Sequence, residues 1–81
     1  MFYVYIIRSA KNGRYYVGST NNLERRLIEH NSGRMKSTKG YIPFELVYKE
    51  FFSDRILAVR RERYIKSQKS KLFIENLIVG S

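Results

Sequence analysis

Five side chains in this sequence have types and spacing suited to chemistry on an anionic substrate: Tyr5, Tyr16, Arg26, His30 and Glu62. A guanidinium fork such as that of Arg26 can hold two oxygens of an anion at once. His30, four residues on and therefore one helical turn away, can give or take a proton or bind an anion itself. The phenols of Tyr5 and Tyr16 are polar handles in aromatic, β-branched segments, where the ordinary role of a tyrosine is packing. Glu62 is the one acid between Asp54 and Glu75 in a strongly basic stretch. Its bland role is an intrahelical pair with Lys66. We read the five as one site supplied by separate elements.

The elements that must position them follow from local pattern. Phe2–Arg8 is apolar and β-branched without alternation, which predicts a central strand buried on both faces. Asn12-Gly13 supplies the left-handed geometry of a tight hairpin, so Tyr15–Ser19 is expected to return antiparallel. Ser19-Thr20-Asn21-Asn22 offers N-caps for a helix over about Leu23–Asn31, with Leu23, Leu27 and Ile28 as its apolar stripe and Gly33 as its left-handed stop. Arg34–Gly40 is polar and basic and is expected to be an exposed loop. After Pro43, the segment Phe44–Phe51 alternates as a half-buried strand with Phe44, Leu46 and Tyr48 on one face. Ser53 or Asp54 caps a helix to about Ser67, with Ile56, Leu57, Val59, Tyr64 and Ile65 as an imperfect apolar face. A short final helix follows Lys69-Ser70-Lys71. The expectation is a single domain over 1–81 of α+β class: a three-stranded antiparallel sheet with packed helices, in the order β-β-α-β-α-α.

Bulk properties narrow the partners. Sixteen Lys and Arg against seven Asp and Glu give a net charge of +9, which favours a polyanion and above all nucleic acid. DNA is the expected partner, although charge alone does not separate it from RNA. Arg34, Lys36, Lys39, Arg60, Arg63 and Lys66 are the expected backbone contacts. With no cysteine, neither disulfides nor a thiolate metal site can support so small a fold. Phe2–Ile7 is too short for the apolar core of a signal peptide, and no run approaches the ~18–20 apolar residues of a membrane span. A cytoplasmic location without membrane partners is therefore expected.

The ordered set Tyr3-Val4-Tyr5, Tyr16-Val17-Gly18, Leu23-x-x-Arg26-x-x-x-His30, and Glu62 followed by Ile65-Lys66 resembles the GIY-YIG nuclease superfamily over residues ~2–76. It is most similar to the small single-domain members and to the nuclease portion of the excision-repair incision enzyme, which implies a DNA-repair setting. Tyr3 and Val4 depart from the family's Gly and Ile, but only the tyrosine that ends the triplet carries chemistry. The resemblance implies that Tyr5 and Tyr16 are the site tyrosines, Arg26 the catalytic arginine and His30 its partner. It further implies that Glu62 holds a divalent ion, Mg²⁺ or Mn²⁺. Gly18 matches the glycine at the strand's end, with a turn as its main role, and Asn76 matches loosely a C-terminal asparagine. The implied activity is metal-dependent DNA phosphodiester hydrolysis by an endonuclease. Such a reaction needs charge stabilisation at phosphoryl oxygens and an oriented water, which Tyr5, Tyr16 or His30 can supply. The alternative is a non-catalytic nucleic-acid-binding module on the same fold.

Overall fold

The computed structural model describes residues 1–80. Its strands are β1 (Phe2–Ser9), β2 (Tyr15–Thr20) and β3 (Phe44–Phe52); its helices are α1 (Leu23–Asn31), α2 (Arg55–Ser67) and α3 (Lys71–Val79). The sheet order is β2-β1-β3 with both pairings antiparallel, so β1 is the central strand, as its unbroken apolar run predicts.

Alternation along β1 divides the molecule into two cores. Tyr5 and Ile7 pack with Phe44, Tyr16 and the α1 residues Leu23 and Leu27. Val4 points to the opposite face and packs with Ala58 and Ile65 of α2, flanked by Phe73, Ile74 and Leu77 of α3. The sheet is thus sandwiched between α1 on one face and the α2–α3 pair on the other. Each helix starts on a side-chain cap: Asn22 accepts from the Arg25 N–H, Asp54 from Ile56 and Ser70 from Phe73.

Two pieces of local chemistry fix the connections. Ser9 is fully buried; its Oγ accepts from the Lys11 and Asn12 N–H groups and donates to the Tyr41 carbonyl. Gly13 follows at φ +75° and closes the turn onto the Ser9 carbonyl. At the end of α1, Asn31 acts as a short stretch of strand. Its Oδ1 accepts from the Phe44 N–H at 2.6 Å and its Nδ2 donates to the Phe44 carbonyl at 3.0 Å. That clip ties the first residue of β3 to the end of α1 through both of its backbone polar groups.

Three sequence expectations change. The β1–β3 register shifts between Ile6, opposite Tyr48, and Ile7, opposite Leu46, so Val47 is an extra residue. This bulge reverses the alternation. Tyr48 leaves the face of Phe44 and Leu46 for that of α2, where it donates to Glu50 while Arg61 binds the same carboxylate. In α2 the buried residues are Ala58 and Ile65, whereas Ile56 is 62% exposed and Leu57 47%. A small residue lets α2 approach the sheet closely, so its larger neighbours lie outside the contact. The segment 34–40 is not wholly exposed: Thr38 is buried just before a single 3-10 turn at Lys39–Tyr41.

Candidate active site

Tyr5 is buried beneath α1, and its position in β1 decides what it meets. Directly opposite on β2 is Gly18. From above come two α1 side chains one turn apart. Arg26 donates from Nε to the phenolic oxygen at 3.3 Å, and His30 Nε2 lies 3.0 Å from the same oxygen. The second Arg26 contact, Nη1 to Glu29 at 3.2 Å, fixes the plane of the fork. Behind His30, its Nδ1 lies 3.2 Å from Thr38 Oγ1, which in turn reaches the Met35 carbonyl. The network closes if His30 is neutral with its proton on Nδ1. The Tyr5 O–H then donates to Nε2, and Nδ1–H donates to Thr38.

Electrostatics agree with that state. Burial lowers the His30 pKa, and the nearby Arg26 cation lowers it further against a smaller opposing effect of Glu29. Arg26 is shifted upward, first by its hydrogen bond to Tyr5, and stays charged. Both His30 ring nitrogens are engaged, Nε2 by Tyr5 and Nδ1 by Thr38, so the imidazole is placed to back the phenol.

Glu62 approaches from the other face of the sheet. Ser19 alternates away from Tyr5 along β2 and donates from Oγ to Glu62 Oε1 at 2.6 Å. Lys66 Nζ holds Oε2 at 2.6 Å, one helical turn along. Both halves open on one cleft of about 510 Å³ that wraps the free edge of β2; its walls include Tyr5, Arg26 and His30 on one side and Ser19, Glu62 and Lys66 on the other. Tyr16 also lines it. Its ring is stacked near Tyr41 and set edge-on to Phe44, and its hydroxyl makes no hydrogen bond among the described residues.

A divalent ion in this cleft would have a single carboxylate to bind. Among the described residues Glu62 is the one carboxylate on its wall, and no group of three His, Cys, Asp or Glu side chains comes together. One hard carboxylate beside a hydroxyl suits an ion that keeps most of its water, as Mg²⁺ does. Lys66 already occupies Oε2 and Ser19 donates to Oε1, so an ion would have to share or displace these contacts.

The structure therefore brings Tyr5, Tyr16, Gly18, Arg26, His30 and Glu62 to one place. Of the basic set, only Lys66 lines the cleft. Arg34, Lys36 and Lys39 are exposed on the loop, and Arg60 and Arg63 flank a separate shallow groove on α2. Asn76 is exposed on α3 and is not on the cleft wall. Thr38 and Ser19 were not legible as site residues. Thr38 carries no spacing signal. Ser19 was detectable only as the residue that must face away from Gly18 toward whatever covers the second face.

The GIY-YIG catalytic domain family matches residues 1–76. A UPF0213 protein of Clostridium perfringens is 49% identical over 67 residues, which cover 82% of this chain and 71% of the relative. A UPF0213 protein of Staphylococcus haemolyticus is 44% identical, covering 90% of this chain and 94% of its own. The solution NMR structure of a UPF0213 protein from Bacillus halodurans superposes with a TM-score of 0.61 at 37% identity, over 98% of this chain and 84% of that one. A catalytic-domain match over nearly the whole chain agrees with the resemblance carried by the ordered motif: the chain belongs to the GIY-YIG family.

Proposed function

We propose that this chain is a divalent-metal-dependent endonuclease that hydrolyses DNA phosphodiester bonds. The observation that carries the reading is the convergence of a preorganised cation, Arg26, and a carboxylate, Glu62, from opposite faces of the sheet onto one cleft. A phosphodiester between them would meet Arg26, whose Nε and Nη1 are already engaged and whose Nη2 is left to a phosphoryl oxygen. Fixing the fork in advance removes reorganisation as charge grows on the phosphoryl group. Tyr5 would orient the attacking water, with His30 placed to take the phenolic proton and Thr38 holding the imidazole in the accepting tautomer. Glu62 would hold the ion, which when bound neutralises phosphoryl charge and acidifies water. Ser19 keeps the carboxylate aimed while Lys66 exchanges its contact for the substrate backbone.

One contact favours the rival reading of a binding module: the Lys66–Glu62 pair already satisfies the carboxylate. Plasmid and oligonucleotide cleavage with and without EDTA tests the proposal, with Glu62→Gln as the paired variant. Divalent-dependent cleavage that Glu62→Gln abolishes, at unchanged or slightly higher DNA affinity, is the expected result. Wild-type protein that binds DNA and never cuts it under any divalent ion leaves the module in its place.

A further inference from the structure

Beside the active cleft, across Tyr15 and Ile74, lies a second groove of about 370 Å³ between the β1–β2 turn and the start of α3, lined by Gly13, Arg14, Tyr15, Lys69, Lys71 and Ile74. Tyr15, Lys69, Ser70 and Ile74 are common to both walls, so the two grooves adjoin. The volume lies at the lower end of the ~300–1,000 Å³ typical of small-ligand sites.

The second groove differs from the first in its charges. Its charges are all of one sign and idle. Arg14, Lys69 and Lys71 form no ion pair among the described residues, while the Arg25, Arg26, Arg61 and Lys66 side chains all do. Arg8, also without an acidic partner among the described residues, is not on the groove wall but lies close to the turn that forms one side of it. Its Nη2 lies 3.2 Å from where a Cβ at Gly13 would be, so the guanidinium rests against the turn. Beneath this cationic rim, Tyr15 and Ile74 provide an aromatic and an aliphatic surface. No acidic residue among those described lines the groove.

A cationic rim over an aromatic surface is the arrangement that binds single-stranded nucleic acid, where a base stacks while its phosphates meet the cations. A paired base cannot use it, because in a duplex the base faces lie inside the stack and only edges and phosphates are presented. We propose that this groove takes an unpaired nucleotide next to the phosphodiester held in the Arg26–Glu62 cleft, its base on Tyr15 and its phosphates among Arg14, Lys69 and Lys71. The proposal deepens the nuclease reading and rests on the cleft being a nucleic-acid site. It assigns the substrate class: nucleic acid with a single-stranded stretch at the cut.

The test is binding, not cutting. Fluorescence anisotropy in EDTA compares one duplex in three forms: blunt, with a short single-stranded tail, and with a tail of the same length made of abasic residues. The abasic tail carries the same phosphates, so the difference between the two tails isolates the base. The expected result is about tenfold tighter binding of the base-bearing tail than of the abasic one, from one stacked base. Tyr15→Phe should keep that difference and Tyr15→Ala should erase it, with blunt-duplex affinity unchanged in both. A 5-bromouracil in the tail should crosslink to the peptide that contains Tyr15. Should Tyr15→Ala fail a circular-dichroism check of folding, the exposed Lys71→Glu replaces it and should weaken the tailed forms more than the blunt one. Equal affinity for base-bearing and abasic tails, or a crosslink that maps away from this groove, overturns the proposal and leaves the nuclease reading standing. Absence of binding to all three forms removes both.

Discussion

Gly18 lies under the ring of Tyr5: a Cβ placed there would overlap the phenol, 2.6 Å from Cζ and 2.9 Å from Cε2. The two residues face each other across the β1–β2 ladder, and a rigid ring cannot move aside without leaving Arg26 and His30. Glycine is required here by close approach, not by a left-handed backbone.

Gly18→Ala should therefore cost about 1–3 kcal/mol in stability through overpacking. It should lower turnover by about a hundredfold through displacement of the phenol. Tyr5→Leu in the same chain should restore most of the stability and none of the activity. Chemical denaturation of the two single variants and the double variant forms the cycle that checks this. A fully active Gly18→Ala would show that the Tyr5 position is not critical.

Arg26→Lys keeps the charge and loses the fork. A lysine cannot contact Tyr5, Glu29 and a phosphoryl oxygen together, so the rate should fall by about 10²–10³ while DNA affinity stays within a fewfold. Single-turnover cleavage beside equilibrium binding separates the two quantities. Equal losses in both would reassign Arg26 to simple binding.

Lys66→Met frees one oxygen of Glu62 without changing its charge. The expected effects are tighter Mn²⁺ binding, by severalfold, in a calorimetric titration and weaker binding of DNA. Adding Glu62→Gln should abolish the Mn²⁺ signal, since Glu62 is the only carboxylate on the cleft wall among the described residues. Unchanged Mn²⁺ affinity in Lys66→Met would show that the lysine does not compete with the ion.

His30 gives stability a defined pH response. Its folded-state pKa is lowered, first by burial and then by Arg26, so the unfolded chain takes up the proton first. Its contribution is complete above the unfolded pKa of ~6.5 and is lost as the pH falls through the folded value. Glu50 acts in a lower window. Burial raises its pKa, but the hydrogen bonds from Arg61 and Tyr48 outweigh that and lower it overall. Its share is present above ~4.3 and is lost below. Urea midpoints measured between about pH 7.5 and 5 should decline in the wild type and stay flatter in His30→Gln. Parallel slopes in the two proteins would place the acid sensitivity elsewhere.

Much of this architecture was legible because its signals are local. The unbroken run Phe2–Ile7 marked the central strand, Asn12-Gly13 the turn, and Asn22, Asp54 and Ser70 stood where helices begin. The ordered tyrosine, arginine, histidine and glutamate positions met in one cleft. What stayed hidden depends on contacts distant in sequence. Val47 is indistinguishable from any strand valine until β1 sets its register and bulges it out, turning Tyr48 over. Ala58 outranks Ile56 and Leu57 as a core residue only because the helix approaches the sheet through it. Thr38 looked like loop polarity until His30 was placed above it. The Lys66–Glu62 contact was visible as a helical spacing, but the Ser19 contact across the sheet was not.

The turn anchored by Ser9 acts as a gauge for chemistry it never touches. Strand side chains alternate, so a slip of one residue between β1 and β2 would bring Val17 or Ser19 under the Tyr5 ring in place of Gly18 and would carry Ser19 away from Glu62. Both halves of the site would then fail from a single displacement. What prevents it is a buried hydroxyl that counts the turn residues, through its bonds to Lys11 and Asn12, with Gly13 closing the count. A side chain away from the cleft thus calibrates where Tyr5, Gly18, Ser19 and Glu62 meet, and the length of the hairpin loop sets the geometry of the cleft as much as any residue on its wall.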